Sequence, residues 1–189
     1  MVRLACAQIS DWQQKHGISK PVAVNVSPIQ LAQPGFCKDV LATLADYGLT
    51  TDLLELEITE RLILDNSIET ADILKQLDKV GIRLSVDDFG TGYSALSYLK
   101  SYPFDTLKID KSFVQDVLKE NEDASLVRAI INMAHSLGLK VVAEGVEEED
   151  QTHFLKAEHC DYSQGYFYSR PLPEQDFIHW LETNERANL

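Results

Sequence analysis

The sequence predicts an α/β fold of the TIM-like (β/α) barrel kind, on three observations. Six β-rich runs recur roughly 30 residues apart, each followed by a segment of helical period, which is the size of a βα unit. Polar and charged residues stand at the C-terminal ends of five of those runs, namely Asn25, Glu57, Asp87-Asp88, Lys108 and Glu144, where such barrels gather their functional groups. No Gly-x-Gly-x-x-Gly follows the first run, so a doubly wound dinucleotide fold lacks its signature. A closed barrel has eight strands, and six are visible here. The expectation is a single domain over residues 1–189 that is incomplete at its N-terminus, with the first two strands missing.

Taken in order, Leu4, Ala5, Gln8, Ile9 and Trp12 repeat at helical spacing, so 3–16 reads as an amphipathic helix ended by Gly17. Pro21 to Val26 is a short strand closed by Ser27-Pro28. Phe36, Val40, Leu41, Leu44 and Tyr47 mark a helix stopped by Gly48. Leu54 to Thr59 is a strand, and 67–80 a helix with a capping-box pattern at Asn66-x-x-Glu69 and Gly81 past its end. Ile82 to Asp87 is a strand, 94–100 a short helix, and Thr106 to Asp110 a strand. Leu126, Ile130, Ala134 and Leu137 line one side of a helix over 123–137, ended by Gly138. Leu139 to Ala143 is a strand, 148–158 a helix, 162–167 a weaker strand, and 174–183 a final helix.

Composition narrows the function. The chain has 189 residues, 44% apolar and 25% charged, as in ordinary globular proteins. No run approaches the roughly 18 apolar residues of a membrane span, and Met1 to Ser10 is too short and weakly apolar for a signal peptide. Three cysteines without a Cys-x-x-Cys suit a reducing, cytoplasmic setting and argue against structural zinc. A net charge of −13 disfavours nucleic acid polymers and anionic membranes. It is compatible with a small phosphate ligand held through metal ions.

The chemistry centres on Ser85-Val86-Asp87-Asp88-Phe89-Gly90-Thr91-Gly92. Two adjacent carboxylates at a strand end repel and are partly desolvated, so they call for a cation, donors or a shared proton. Strict alternation would point Asp87 and Asp88 to opposite sides, and Gly90-Thr91-Gly92 is the expected turn that brings both to one site. In Leu54-Glu55-Leu56-Glu57-Ile58-Thr59 the leucines and Ile58 share one face, leaving Glu55, Glu57 and Thr59 on the other. In a barrel covered by helices one face points inward, where carboxylates need partners. Taken alone, Asn25 also fits a turn amide and Lys108 a solvated edge. Jointly the set is oxygen ligands plus one lysine, which selects magnesium or manganese over zinc or copper. Two ions sharing an Asp suit in-line phosphoester displacement. The five histidines show no His-Glu-x-x-His spacing.

Asn25-Val26-Ser27, Glu57-Ile58-Thr59-Glu60, Asp87 to Ser94, Lys108-Ile109-Asp110, Ala143 to Glu147 and Gln164-Gly165-Tyr166 occur together in one order. From Met1 to about Pro173 the chain resembles the EAL-domain phosphodiesterases, which hydrolyse cyclic di-GMP to linear pGpG. The resemblance implies that Asn25, Glu57, Asp87 and Asp88 ligate two divalent cations, Mg²⁺ or Mn²⁺, with Asp87 bridging. It implies that Glu144 joins the second ion or acts as general base, and that Lys108 holds the attacking water or the phosphate, with Asp110 beside it. Gln164 and Asp110 are then substrate-binding, and Glu60 anchors the Asp87–Ser94 loop. The resemblance also implies a homodimer and an upstream sensor or cyclase domain. The Glu-Ala-Leu tripeptide that names the family, whose Glu is a further ligand, does not occur in this sequence. Two rival readings follow: a catalytically impaired module that binds cyclic di-GMP or a protein partner, and an enolase-type metal enzyme, in which nothing calls for paired aspartates.

Overall fold

Period-two alternation sorts strand residues onto two faces, and the fold assigns each face a different task. The structure, a computed structural model, describes residues 1–64, 68–91 and 99–184. Its strands are β1 (Val22–Asn25), β2 (Leu54–Thr59), β3 (Arg83–Phe89), β4 (Thr106–Ile109), β5 (Lys140–Glu144) and β6 (Tyr162–Gln164). Every neighbouring pair is parallel, and spatial order follows chain order from β1 to β6. The sheet is the curled, open part of a TIM-like barrel. Six strands are two fewer than a closed barrel has, and among the described residues β1 and β6 each pair along one edge only.

The helices are α1 (Val2–His16), α2 (Pro28–Leu31), α3 (Phe36–Asp46), α4 (Glu60–Leu64), α5 (Ile68–Lys79), α6 (Lys111–Gln115), α7 (Asn121–Ser136), α8 (Glu149–Ala157) and α9 (Glu174–Asn184). At the end of α1, Gly17 takes φ 67, and the amides of Gly17 and Ile18 reach back to Gln13 and Trp12, a left-handed stop that glycine permits. Trp12 stacks on Phe177 with ring centroids 5.1 Å apart, so α1 and α9 lie side by side. Three short helices, α2, α4 and α6, were not expected, because four or five residues show no helical period. Local chemistry builds two of them. Ser27 and Gln30 form a reciprocal capping box on α2, and Asp110 caps α6 through the Ser112 amide at 2.8 Å.

Other expectations shift at their edges. The strand expected over 162–167 ends at Gln164, because Gly165 starts a turn in which its carbonyl accepts from the Tyr168 amide. The strand expected to stop at Asp87 continues to Phe89. Asn66, and nearly all of the helix expected over 94–100, lie outside the described residues.

The outer face of the sheet carries Leu54, Leu56, Ile58, Leu84, Val86, Leu107, Ile109 and Val141, all buried against Ile9, Leu44, Leu74, Leu77 and Ile131 of the helices. Each such side chain contributes about 1.5–3 kcal/mol by leaving water. The inner face is different: Glu57, Ser85, Asp87 and Lys108 are buried there as polar groups. No helix among the described residues is long and apolar enough to cross a membrane.

Two aspartates fix strand register at the far end of the sheet from the site. Asp105, just before β4, accepts from the Leu84 amide of β3 at 2.9 Å. Asp161, just before β6, accepts from the Val141 amide of β5 at 3.0 Å, from Lys140 at 2.6 Å and from His135 at 2.8 Å. Burial pushes the Asp161 carboxyl up, but the hydrogen bonds from Lys140, His135 and Val141 outweigh it, and it settles below its ordinary value of 3.8. A carboxylate depressed by folding stabilises above its ordinary value and loses that contribution as pH falls through the folded-state value. Asp161→Asn should therefore lower stability at pH 7 by about 1–2 kcal/mol. In urea denaturation series the penalty should shrink below pH 4, where the wild-type group also protonates.

Candidate active site

β3 and β4 pair regularly at Ser85 with Thr106 and Val86 with Leu107; the register then slips, and Phe89 pairs with Ile109. Two residues, Asp87 and Asp88, stand opposite one, Lys108, which is a β-bulge. Asp88 adopts φ 56, the left-handed region that Asp and Asn tolerate better than most residues. Its carbonyl accepts from Thr91 Oγ1 at 2.9 Å. The bulge overcomes the alternation that would have sent the two carboxyls apart. The turn was expected in Gly90-Thr91-Gly92; the structure puts it inside the pair itself.

Lys108 projects from β4 into the inner face. Its Nζ lies 2.6 Å from Glu57 Oε1, 2.7 Å from Glu144 Oε1 and 3.1 Å from Asp87 Oδ1. Lys108 and Glu57 are only 6% and 8% exposed, so neither charge could stay buried without the other. Asn25 Nδ2 donates to the second oxygen of Glu57 at 3.0 Å. Burial pulls the ammonium toward neutrality, yet its hydrogen bonds to Glu144 and Glu57 outweigh that and hold it firmly charged. Asp87 Oδ1, although close to Nζ, lies outside hydrogen-bonding direction and is a buried acceptor without a donor among the described residues.

The remaining residues form the surround. Glu60, 2% exposed at the start of α4, accepts from the Gly90 amide at 3.0 Å and so ties α4 to the residue after β3. Residues 92–98 of that loop lie outside the described part. Asp110 adds a negative charge and a hydrogen-bonding contact beside Asp88. Gln164 pairs in register with Glu144 across β5 and β6. Gly165 packs so tightly on Val146 that a Cβ there would meet its carbonyl oxygen at 2.1 Å. A groove of about 1340 Å³ borders Gln164 and runs past Tyr162, Tyr168, Phe177 and Trp180. It does not include the carboxylates, which are the groups that carry chemistry.

One positioning residue escaped the reading of the sequence. Gln151, 3% exposed on α8, accepts from the amides of Glu147 and Glu148 at 2.7 and 3.0 Å. It donates to the carbonyls of Val114 and Gln115 at 3.2 Å each. It thereby braces the loop after Glu144 against α6, which Asp110 caps. The available signal was the Glu148-x-x-Gln151 capping box.

Comparison with known proteins agrees with this geometry. The EAL-domain family model matches residues 1–171. The chain belongs to the EAL-domain family. It is 42% identical over 173 residues to the cyclic di-GMP phosphodiesterase NbdA of Pseudomonas aeruginosa, covering 92% of this chain and 22% of NbdA. The crystal structure of the EAL domain of Mycobacterium smegmatis DcpA superposes with a TM-score of 0.90 at 40% identity, over 96% of this chain and 82% of that one. The PaMucR phosphodiesterase in complex with c-di-GMP gives 0.87 at 38% identity, over 93% and 71%. The chain spans less than a third of the length of the curated relatives it matches.

The residues of this EAL domain fit divalent cations. Asp87, Asp88 and Glu144 each offer one oxygen, all within 4.8 Å of one another, and the donor set is carboxylate, as hard cations require. The donorless Asp87 Oδ1 is an acceptor that such an ion would satisfy. Burial pushes the Glu144 carboxyl up against the pull of Lys108. Burial, then the charges of Asp87 and Asp110, pushes Asp88 up as well. A carboxylate raised by folding destabilises the fold once pH exceeds its ordinary value, 3.8 for Asp88. Asn removes that charge and suits a left-handed backbone. Asp88→Asn should therefore raise the thermal midpoint of the metal-free protein at pH 7, a gain that vanishes where the wild-type carboxyl is protonated. The same substitution should erase any stabilisation by Mn²⁺, as read by calorimetric melting with and without the ion.

Proposed function

We propose that this domain hydrolyses cyclic di-GMP to linear pGpG with two divalent cations, Mg²⁺ or Mn²⁺. The observation that carries the reading is the bulged Asp87-Asp88 pair, facing Glu144 with Lys108 at its centre. Relatives named as a cyclic di-GMP phosphodiesterase and as a phosphodiesterase in complex with c-di-GMP support the substrate. When bound, the ions lower the pKa of an attacking water and polarise the phosphodiester. Asp87 and Asp88 hold them, with Asn25 and Glu57 on the side of Asp87. Asp110, beside Asp88 and accepting from Ser112, contacts the substrate. Glu144, whose carboxyl is raised by burial, would offer one oxygen to an ion and with its other takes the proton of the water as the water oxygen attacks phosphorus. The P–O3′ bond opposite breaks, and the leaving oxygen is protonated from solvent. Lys108 holds a phosphoryl oxygen as negative charge develops. Gln164, next to Glu144 in register, contacts the substrate, while Glu60 steadies the loop. A homodimer, a cytoplasmic location, and a sensor or cyclase domain in the full-length protein complete the proposal.

The second reading is nucleotide binding without turnover. Incubation of the purified protein with cyclic di-GMP and Mg²⁺ or Mn²⁺, followed by ion-exchange chromatography, separates the two. Hydrolysis predicts pGpG, its loss on chelation, and a fall of at least roughly 1000-fold in Asp87→Ala. Tight calorimetric binding with no product would instead support the regulator.

A further inference from the structure

Two overlapping sets of contacts meet at β2, β3, β4 and β5. Lys108 Nζ touches Glu57, Asp87 and Glu144, whereas the oxygens converging on one point belong to Asp87, Asp88 and Glu144. Asp87 and Glu144 are in both. Four carboxylates therefore face one ammonium, and the two shared ones cannot serve it and a divalent ion equally. An ammonium has three protons to donate and no acceptor capacity. A cation arriving on Asp87 and Glu144 takes the negative charge that Asp87 offers Nζ at 3.1 Å, competes for Glu144, which Nζ bonds, and repels Nζ directly.

We infer that Lys108 is a built-in counter-ion which competes with the divalent cation for Asp87 and Glu144. It holds the ligand carboxylates together when no ion is bound, and gives them up when one enters. The inference rests on the metal-dependent reading above and adds to it an exchange of one cation for another. Such an exchange sets the cation concentration at which the site fills. It also delivers a freed ammonium beside the phosphodiester at the moment the ions arrive.

The signature is opposite to that of a residue that merely supports the site. Removing the ammonium should loosen the metal-free protein and at the same time tighten metal binding. Titration calorimetry with MgCl₂ and MnCl₂ on wild type, Lys108→Met and Lys108→Arg measures this, with melting of each metal-free protein alongside. Lys108→Met should melt lower without metal yet bind the ions at least about tenfold more tightly, while Lys108→Arg stays near wild type in charge and affinity. On the wild type alone, the lysine Nζ resonances should include a protected Lys108 signal that shifts with Mg²⁺ in step with calorimetric occupancy. Equal or weaker affinity in folded Lys108→Met overturns the inference and leaves the metal reading intact. So does a Lys108 signal unmoved at saturating Mg²⁺, which decides the matter if Lys108→Met does not fold. Binding by Lys108→Met where the wild type binds nothing upholds competition; if neither binds, the metal reading fails and this one with it.

Discussion

The ammonium of Lys108, buried between Glu57 and Glu144 and 3.1 Å from Asp87, is the contact on which the inner face of the sheet depends. Two strands, β2 and β3, and the end of a third, β5, bring carboxylates to one point, an arrangement that like charges oppose in a medium that screens them poorly. The outer face needs no such device, since its leucines, isoleucines and valines are held by helices through apolar burial alone. The sheet thus divides its work by alternation. One face contributes stability, and the other keeps charges where a substrate can use them, at the strand ends.

Adjacent aspartates could not share that centre on a regular strand. The bulge at Asp87-Asp88 breaks the alternation once, at the cost of a left-handed backbone at Asp88 and of an Asp88 carboxyl raised by burial and by the charge of Asp87. Contacts around the bulge determine its shape. Thr91 bonds the Asp88 carbonyl, Glu60 holds the Gly90 amide, and Gln151 braces the loop after Glu144. Local strain of this kind survives where surrounding structure fixes it, and it is characteristic of sites kept for function.

The architecture was largely legible in the sequence. Leu54 to Thr59 alternates so strictly that its two faces could be named in advance, and the long helices announce themselves by period and by glycines such as Gly17. The polar residues at strand ends were legible as a group because a parallel barrel places them together. What could not be read is whatever depends on spatial neighbours. Period-two reasoning sends Asp87 and Asp88 to opposite sides, and only the slip against β4 reverses that. Asp105 and Asp161 look like loop acids until Leu84 and Val141 are seen to donate to them. Helices α2, α4 and α6 are too short to carry a period, and Gln151 resembles any polar residue in a first helical turn.

Asp87, Asp88 and Glu144 converge at one point and fit a divalent cation. Crystals of the protein grown with Mn²⁺, measured for anomalous scattering, test it most directly. An anomalous peak is expected within coordination distance, about 2.0–2.6 Å, of oxygens from Asp87, Asp88 and Glu144 together. Mn²⁺ bound only elsewhere on this acidic surface, with the three carboxylates left uncoordinated, would contradict it.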